Sequence, residues 1–199
     1  MISNLIALLV VASAWSTPPT SIDQLVDQHL TQLNIVAADR CSDDEFLRRV
    51  TLDLAGRIPT IDELQRFRVN PDREARIDEL LDSPEFPRFM SEIFTASLVG
   101  YLDIFGTDRE ALRIWLEEQL QHDRPWDRIT RDLITAEGTT SIDGPVNFLV
   151  RNRDDPVVKV GRVFLGVRLD CAQCHDHPFD RWTQDDYQLM RRFFQQVDT

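Results

Sequence analysis

Cysteine is scarce in this chain, with three in 199 residues. That scarcity excludes a small scaffold built on disulfides. Basic side chains are also few: 22 Lys and Arg stand against 34 Asp and Glu, for a net charge of −12. Nucleic acid requires clustered positive charge, so a nucleic-acid partner is not expected. An acidic surface suits solubility and can steer a basic redox partner. Long apolar runs are missing, because Leu5–Ala14 (LIALLVVASA) falls well short of the ~20 residues that cross a bilayer. There is no G-x-S-x-G, no H-E-x-x-H and no Gly-rich phosphate loop, which leaves hydrolytic and phosphoryl-transfer chemistry without support. Sustained strand alternation is lacking as well. What remains favours a helical carrier or binding domain over an enzyme.

The apolar run at Leu5–Ala14 ends in Ala12-Ser13-Ala14, a small-x-small pattern of the kind that signal peptidase cleaves, followed by Ser16-Thr17-Pro18-Pro19. Residues 1–14 therefore read as a signal peptide, with an uncleaved anchor as the alternative. Both readings place the body outside the cytoplasm, in the periplasm or the extracellular space. Membrane contact then comes only through this segment, if it is retained. No cysteine directly follows the run, so a lipoprotein is not expected. Residues 20–199 are enough for a single helical domain.

Two of the three cysteines fall in Cys171-Ala172-Gln173-Cys174-His175, the attachment pattern of a c-type haem. The chemistry sets the spacing. Two thiols add to the porphyrin vinyl groups, and the imidazole that follows binds the iron from one face. Residues three and four apart share a side of a helical turn, so the three side chains converge. Haem c is thus the leading cofactor, and single-electron transfer the leading function. The alternative is zinc held by Cys171, Cys174, His175 and His177, stapling a binding or scaffold domain; a simple surface disulfide is the blandest reading. Asp176 is placed either to orient the His175 ring or to stand as a solvated carboxylate, and Phe179 and Trp182 to shield an edge of the macrocycle or to serve as core. For a second axial ligand, Met190 is the only methionine after His175, although core filling is the commoner use of such a residue. Met90, His29 and His122 are the upstream candidates, and a five-coordinate iron is the remaining option. Cys41 reads as a small, partly buried hydrophobe.

Helix-start chemistry recurs along the chain. Ser42-Asp43-Asp44-Glu45, Thr60-Ile61-Asp62-Glu63 and Thr107-Asp108-Arg109-Glu110 have the capping-box form, and Ser83-Pro84 offers a Ser cap with Pro at the first helical position. Apolar stripes at three- and four-residue spacing agree. They predict helices near 21–36, 43–55, 61–68, 72–82, 85–103, 108–121 and 126–137, the last stopped by Gly138. An irregular loop is predicted over 138–153, then helices near 155–168 and 184–196. The fold class is all-α, an irregular multi-helix domain with a C-terminal CxxCH turn.

The run from Phe46 to Thr60 (FLRRVTLDLAGRIPT), and above all Phe164–Asp170 (FLGVRLD) leading into CAQCHDHPFDRWTQDDY (171–187), resemble the planctomycete-type cytochrome-like domain. That family is a secreted module of otherwise unknown function, named for its CxxCH. Leu81–Phe86, Asp123–Asp127 and Asn147-Phe148 fit it too, so the likeness covers roughly residues 43–197. The resemblance implies an all-helical, exported haem protein with thioether sites at Cys171 and Cys174 and a proximal ligand at His175. Asp176, His177, Pro178, Phe179, Asp180 and Trp182 match the block that follows the motif in the family. Two departures stand out. Family members usually continue into a large second domain, so a companion C-terminal domain or protein is an expected partner. The 86–98 segment also lacks the tryptophans typical of that helix.

Overall fold

The computed structural model describes residues 22–102, 104 and 106–195. The signal-peptide segment lies outside them. The chain divides into two compact units, Met1–Cys41 and Ser42–Thr199. In the first, α1 spans Ile22–Gln32 and closes at Asn34, which takes a left-handed φ of 54°. The thiol of Cys41 is half-buried.

The second unit is all helical among the described residues, as the periodicity predicts. Its helices are α2 (Asp43–Ala55), α3 (Ile61–Val69), α4 (Arg73–Leu81), α5 (Glu85–Val99), α6 (Arg109–Gln121), α7 (Trp126–Ile134), α8 (Val146–Arg151), α9 (Pro156–Val160) and α10 (Gln184–Arg192). Local chemistry starts most of them. Ser42 accepts the Glu45 amide, and Thr60 with Glu63 forms a complete reciprocal capping box.

Other starts differ from the sequence expectation. At α6 the cap is Asp108, which accepts the Ala111 amide at 2.9 Å, while the Thr107 hydroxyl turns back to the Ile104 carbonyl. A carboxylate beside a helix start gains from the dipole as well as from the hydrogen bond, so Asp108 wins over its neighbour. Ser83 likewise donates to Leu80 O and leaves Pro84 to open α5 without a side-chain cap. α7 ends at Ile134, capped by Thr135, so Gly138 does not stop it.

The predicted 138–153 loop is the largest departure, because it contains α8. Asn147 and Phe148 are fully buried there. The Asn147 carbonyl oxygen accepts the Asp108 amide at 2.6 Å, and its amide nitrogen donates to Thr140 O and Gly144 O. One buried side chain thus ties the start of α6 to the loop before α8. Three bonds satisfy the group, which offsets the cost of removing it from water.

Among the described residues, two hydrophobic clusters lie around the C-terminal half of this unit. The larger gathers Leu98, Leu112, Leu116, Ile129, Leu133 and Phe148 from α5 through α8. The smaller, Val157, Leu169, Ala172 and Tyr187, lies where α9 and α10 meet the CxxCH segment. Trp115 is partly buried against the larger cluster, and Trp126 packs on Phe94 with ring centroids 4.7 Å apart.

Candidate functional site

Asp155 opens α9 by accepting the Val158 amide, with Pro156 at the first helical position. The helix continues as one π-helical turn, Gly161–Leu165, and stops at Gly166, whose left-handed φ of 66° few other residues tolerate. The chain then folds back, so that Leu169 sits against the bare Cα of Gly161. It enters a 3₁₀ turn at Cys171–Gln173.

The Cys171 carbonyl accepts the amides of both Cys174 and His175 at 3.3 Å. In such a turn residues three apart nearly eclipse, which sets the two thiols on one side. Both are exposed and neither is in a disulfide. Ala172, between them, is fully buried in the smaller cluster. A small apolar side chain therefore pins the turn while the thiols face solvent.

His175 is exposed, and its Nδ1 lies 2.7 Å from the Asp176 carbonyl oxygen. A carbonyl only accepts, so in the neutral ring Nδ1 carries the proton and Nε2 keeps its lone pair. The sequence pointed to the Asp176 carboxylate as the ring's partner. Instead the backbone carbonyl takes that place, and the carboxylate accepts the Gln184 amide at the start of α10, 2.9 Å away. An anion there meets the orphan amides and positive end of the helix.

His177 is wired the other way. Its Nδ1 accepts the Phe179 amide at 3.2 Å, and its own amide donates to Trp182 O at 2.8 Å. In the neutral ring the proton then lies on Nε2, a donor rather than a metal ligand. No group of three or more His, Cys, Asp or Glu among the described residues is arranged to hold a metal ion.

The comparisons cover nearly all of this architecture. A family model described as PSCyt2, a protein of unknown function (DUF1549), matches residues 21–199. The chain belongs to the PSCyt2 family. No curated protein and no solved structure matches it.

In this PSCyt2 chain α10 buttresses the turn. Thr183 and Asp186 form a reciprocal capping box, with Asp where the usual pattern has Glu, so a search for Glu or Gln misses it. The Thr183 amide, and then its hydroxyl, hold the Asp186 carboxyl below its ordinary range. Tyr187 is buried and donates to the Asp155 carboxylate at 3.1 Å. Burial, reinforced by the Asp155 charge, pushes the phenol up. Asp155 therefore caps α9 and tethers α10 at once. Sequence reasoning overlooked this residue, although Asp-Pro before an apolar run was the available signal.

The remaining sequence candidates fall as follows. Met190 is partly buried against both clusters. Trp182 is half-buried in the smaller cluster, with the Arg181 guanidinium 5.0 Å over its ring. Phe179 is 94% exposed. The His122 ring closes on Glu118 O at the end of α6.

Proposed function

We propose that this PSCyt2 chain is an exported c-type cytochrome module carrying haem c on Cys171, Cys174 and His175. The observation that supports it most is the donor set of the turn. Two outward thiols share one side, and an imidazole one residue later keeps Nε2 unprotonated. A covalently held haem needs that set, and the exposed turn gives the flat macrocycle room. The haem, when bound, supplies one-electron exchange at its iron.

The chain's own residues do the rest. Cys171 and Cys174 fix the ring edge through thioethers, each formed when a thiol S–H adds across a vinyl group with no net redox change. Asp176 O fixes the His175 tautomer and orientation, the means by which a ligating imidazole gains basicity. Ala172, Leu169 and Tyr187 keep the turn rigid. Met190 is partly buried against both clusters, which favours a packing role for it over iron ligation. A redox partner outside the cytoplasm completes the reading. A zinc site through His177 is the weaker alternative, because it requires that ring to give up the Phe179 amide.

The test is an absorption spectrum of protein made with the c-haem maturation apparatus. The reading expects a Soret band that stays with the polypeptide through acid–acetone extraction and disappears in the double variant Cys171→Ala/Cys174→Ala. Colourless protein that contains stoichiometric zinc would replace it with the metal-stapled scaffold.

A further inference from the structure

An open cavity of about 340 Å³ lies where α6, the end of α7 and the loop leading into α8 meet. Trp115, Ile142 and Val146 supply apolar surface to it, and Asp132, Glu137 and Asp143 supply carboxylates. No Lys, Arg or His is in its lining. The loop that forms it is held from both ends. Asp143 Oδ2 accepts the Thr139 amide at 2.8 Å, and the Asp143 amide donates to Thr139 O at 2.7 Å. Gly138, at a φ of 133°, leaves to the Asp143 carboxylate the space that a Cβ would fill. A Cβ on Gly144 would stand 2.6 Å from Ala111 O and 2.7 Å from Trp115 Cβ, so the loop backbone lies directly on α6.

The charge left in this cavity is negative. Asp132 shares its charge with Arg124, 2.7 Å away, whereas Glu137 and Asp143 have no ion pair among the described residues. The lining therefore calls for a cation. A bare metal ion does not fit, because no three His, Cys, Asp or Glu among the described residues are arranged to hold one. An organic cation fits both parts of the lining. An ammonium donates up to three hydrogen bonds, which carboxylates accept, and is attracted to an indole face. Its aliphatic stem gains from apolar surface such as that of Ile142 and Val146. The volume is at the small end for a ligand site, which suits one extended chain rather than a large molecule.

We propose that this cavity binds a primary ammonium group on an aliphatic stem, carried by a free amine or by a lysyl side chain. Glu137 and Asp143 take the ammonium, and Trp115, Ile142 and Val146 take the stem. The inference does not depend on the haem reading, because none of Cys171, Cys174 or His175 lines the cavity.

Calorimetric titration of the full chain with pentylammonium, and with lysine acetylated at its α-amine and amidated at its carboxyl, tests it. Saturable binding is expected, falling with salt and tighter for pentylammonium than for methylammonium. Glu137→Gln/Asp143→Asn should weaken it about tenfold with unchanged circular dichroism, since the Asn carbonyl still accepts the Thr139 amide. Glu137→Gln alone, at an exposed position, should weaken it about threefold. Asp53→Asn/Asp62→Asn removes the same charge elsewhere and should leave binding as in the parent. Binding of pentylammonium alone assigns the cavity to a free amine, and tighter binding of the blocked lysine assigns it to a partner's side chain. The proposal is overturned if neither probe binds, if methylammonium binds as well as pentylammonium, or if the cavity variants bind like the parent. Equal loss in Asp53→Asn/Asp62→Asn would also overturn it, by reducing the effect to net charge.

Discussion

The helices from α2 to α6 and the segment around the cysteine turn spend their charges in opposite ways. In the first region arginine is the resource consumed. Arg57 bridges Glu63 and Glu85, Arg76 bridges Glu63 and Glu79, and Arg113 bridges Glu110 and Glu117. These pairs join helices or brace one helix face, and they leave surplus carboxylates outside. Around the turn Asp155, Asp176 and Asp186 serve helix starts and Tyr187 instead, while Arg162 pairs with Asp170. The same residue types thus build a scaffold in one place and hold a site rigid in the other. Aspartates cap helices in both regions, Asp72 at α4 and Asp108 at α6 included, so the difference lies in the arginines that bridge one helix to another in the first.

The comparison breaks most sharply at Glu63. Its carboxylate takes two bonds from Arg57, one from Arg76 and one from the Thr60 amide. The Arg57 guanidinium, helped by the Thr60 amide and Arg76, holds it well below the usual carboxylate range against the opposing effect of burial. Arg76 is only 6% exposed. Glu63→Gln leaves that cation short of charge, and urea unfolding should show a loss of about 3–5 kcal/mol. The pH dependence has a definite sign. The folded-state value lies below the unfolded one, so the stabilisation is complete above about 4.3 and drains away as acid protonates the folded carboxyl. The parent's urea midpoint should fall steeply below that pH, and that of Glu63→Gln less so.

Ala172→Leu sharpens the other side of the comparison. Nothing around Ala172 can accept three more carbons without moving Val157, Leu169 or Tyr187, so a cost of about 2 kcal/mol is expected. Hydrogen exchange should locate the damage at the Cys174 and His175 amides rather than in α2 to α6. Tyr187→Phe has the smallest effect. It removes one hydrogen bond to Asp155 and should cost about 1 kcal/mol, with faster exchange at the start of α10. If it loosens α5 as much as α10, the two regions are one cooperative support and the contrast fails.

Much of the fold was legible because helix starts and stripes are local. Thr60 and Glu63 are three residues apart, and the box they form needs nothing else. Loop 138–153 was misread for the opposite reason. Val146–Arg151 is too short to show a period, and it becomes helical because Asn147 and Phe148 are buried by α5, α6 and the loop itself. Asp176 was given the right neighbourhood and the wrong atom: its carboxylate serves a helix eight residues later, which no pattern at the motif reveals.

Sequence alone determined the order and type of the longer helices, and the helical turn that begins at Cys171, since both follow from hydrogen bonds spanning three or four residues. Tertiary structure decided which way that turn faces, through the burial of Ala172. It also decided which nitrogen of the neutral His175 ring keeps its lone pair, that Met190 packs partly buried against both clusters, and that Asp155 rather than any motif residue joins α9 to α10. Each of those outcomes depends on partners brought together by packing, and the energy of such a contact exists only once distant segments have already met.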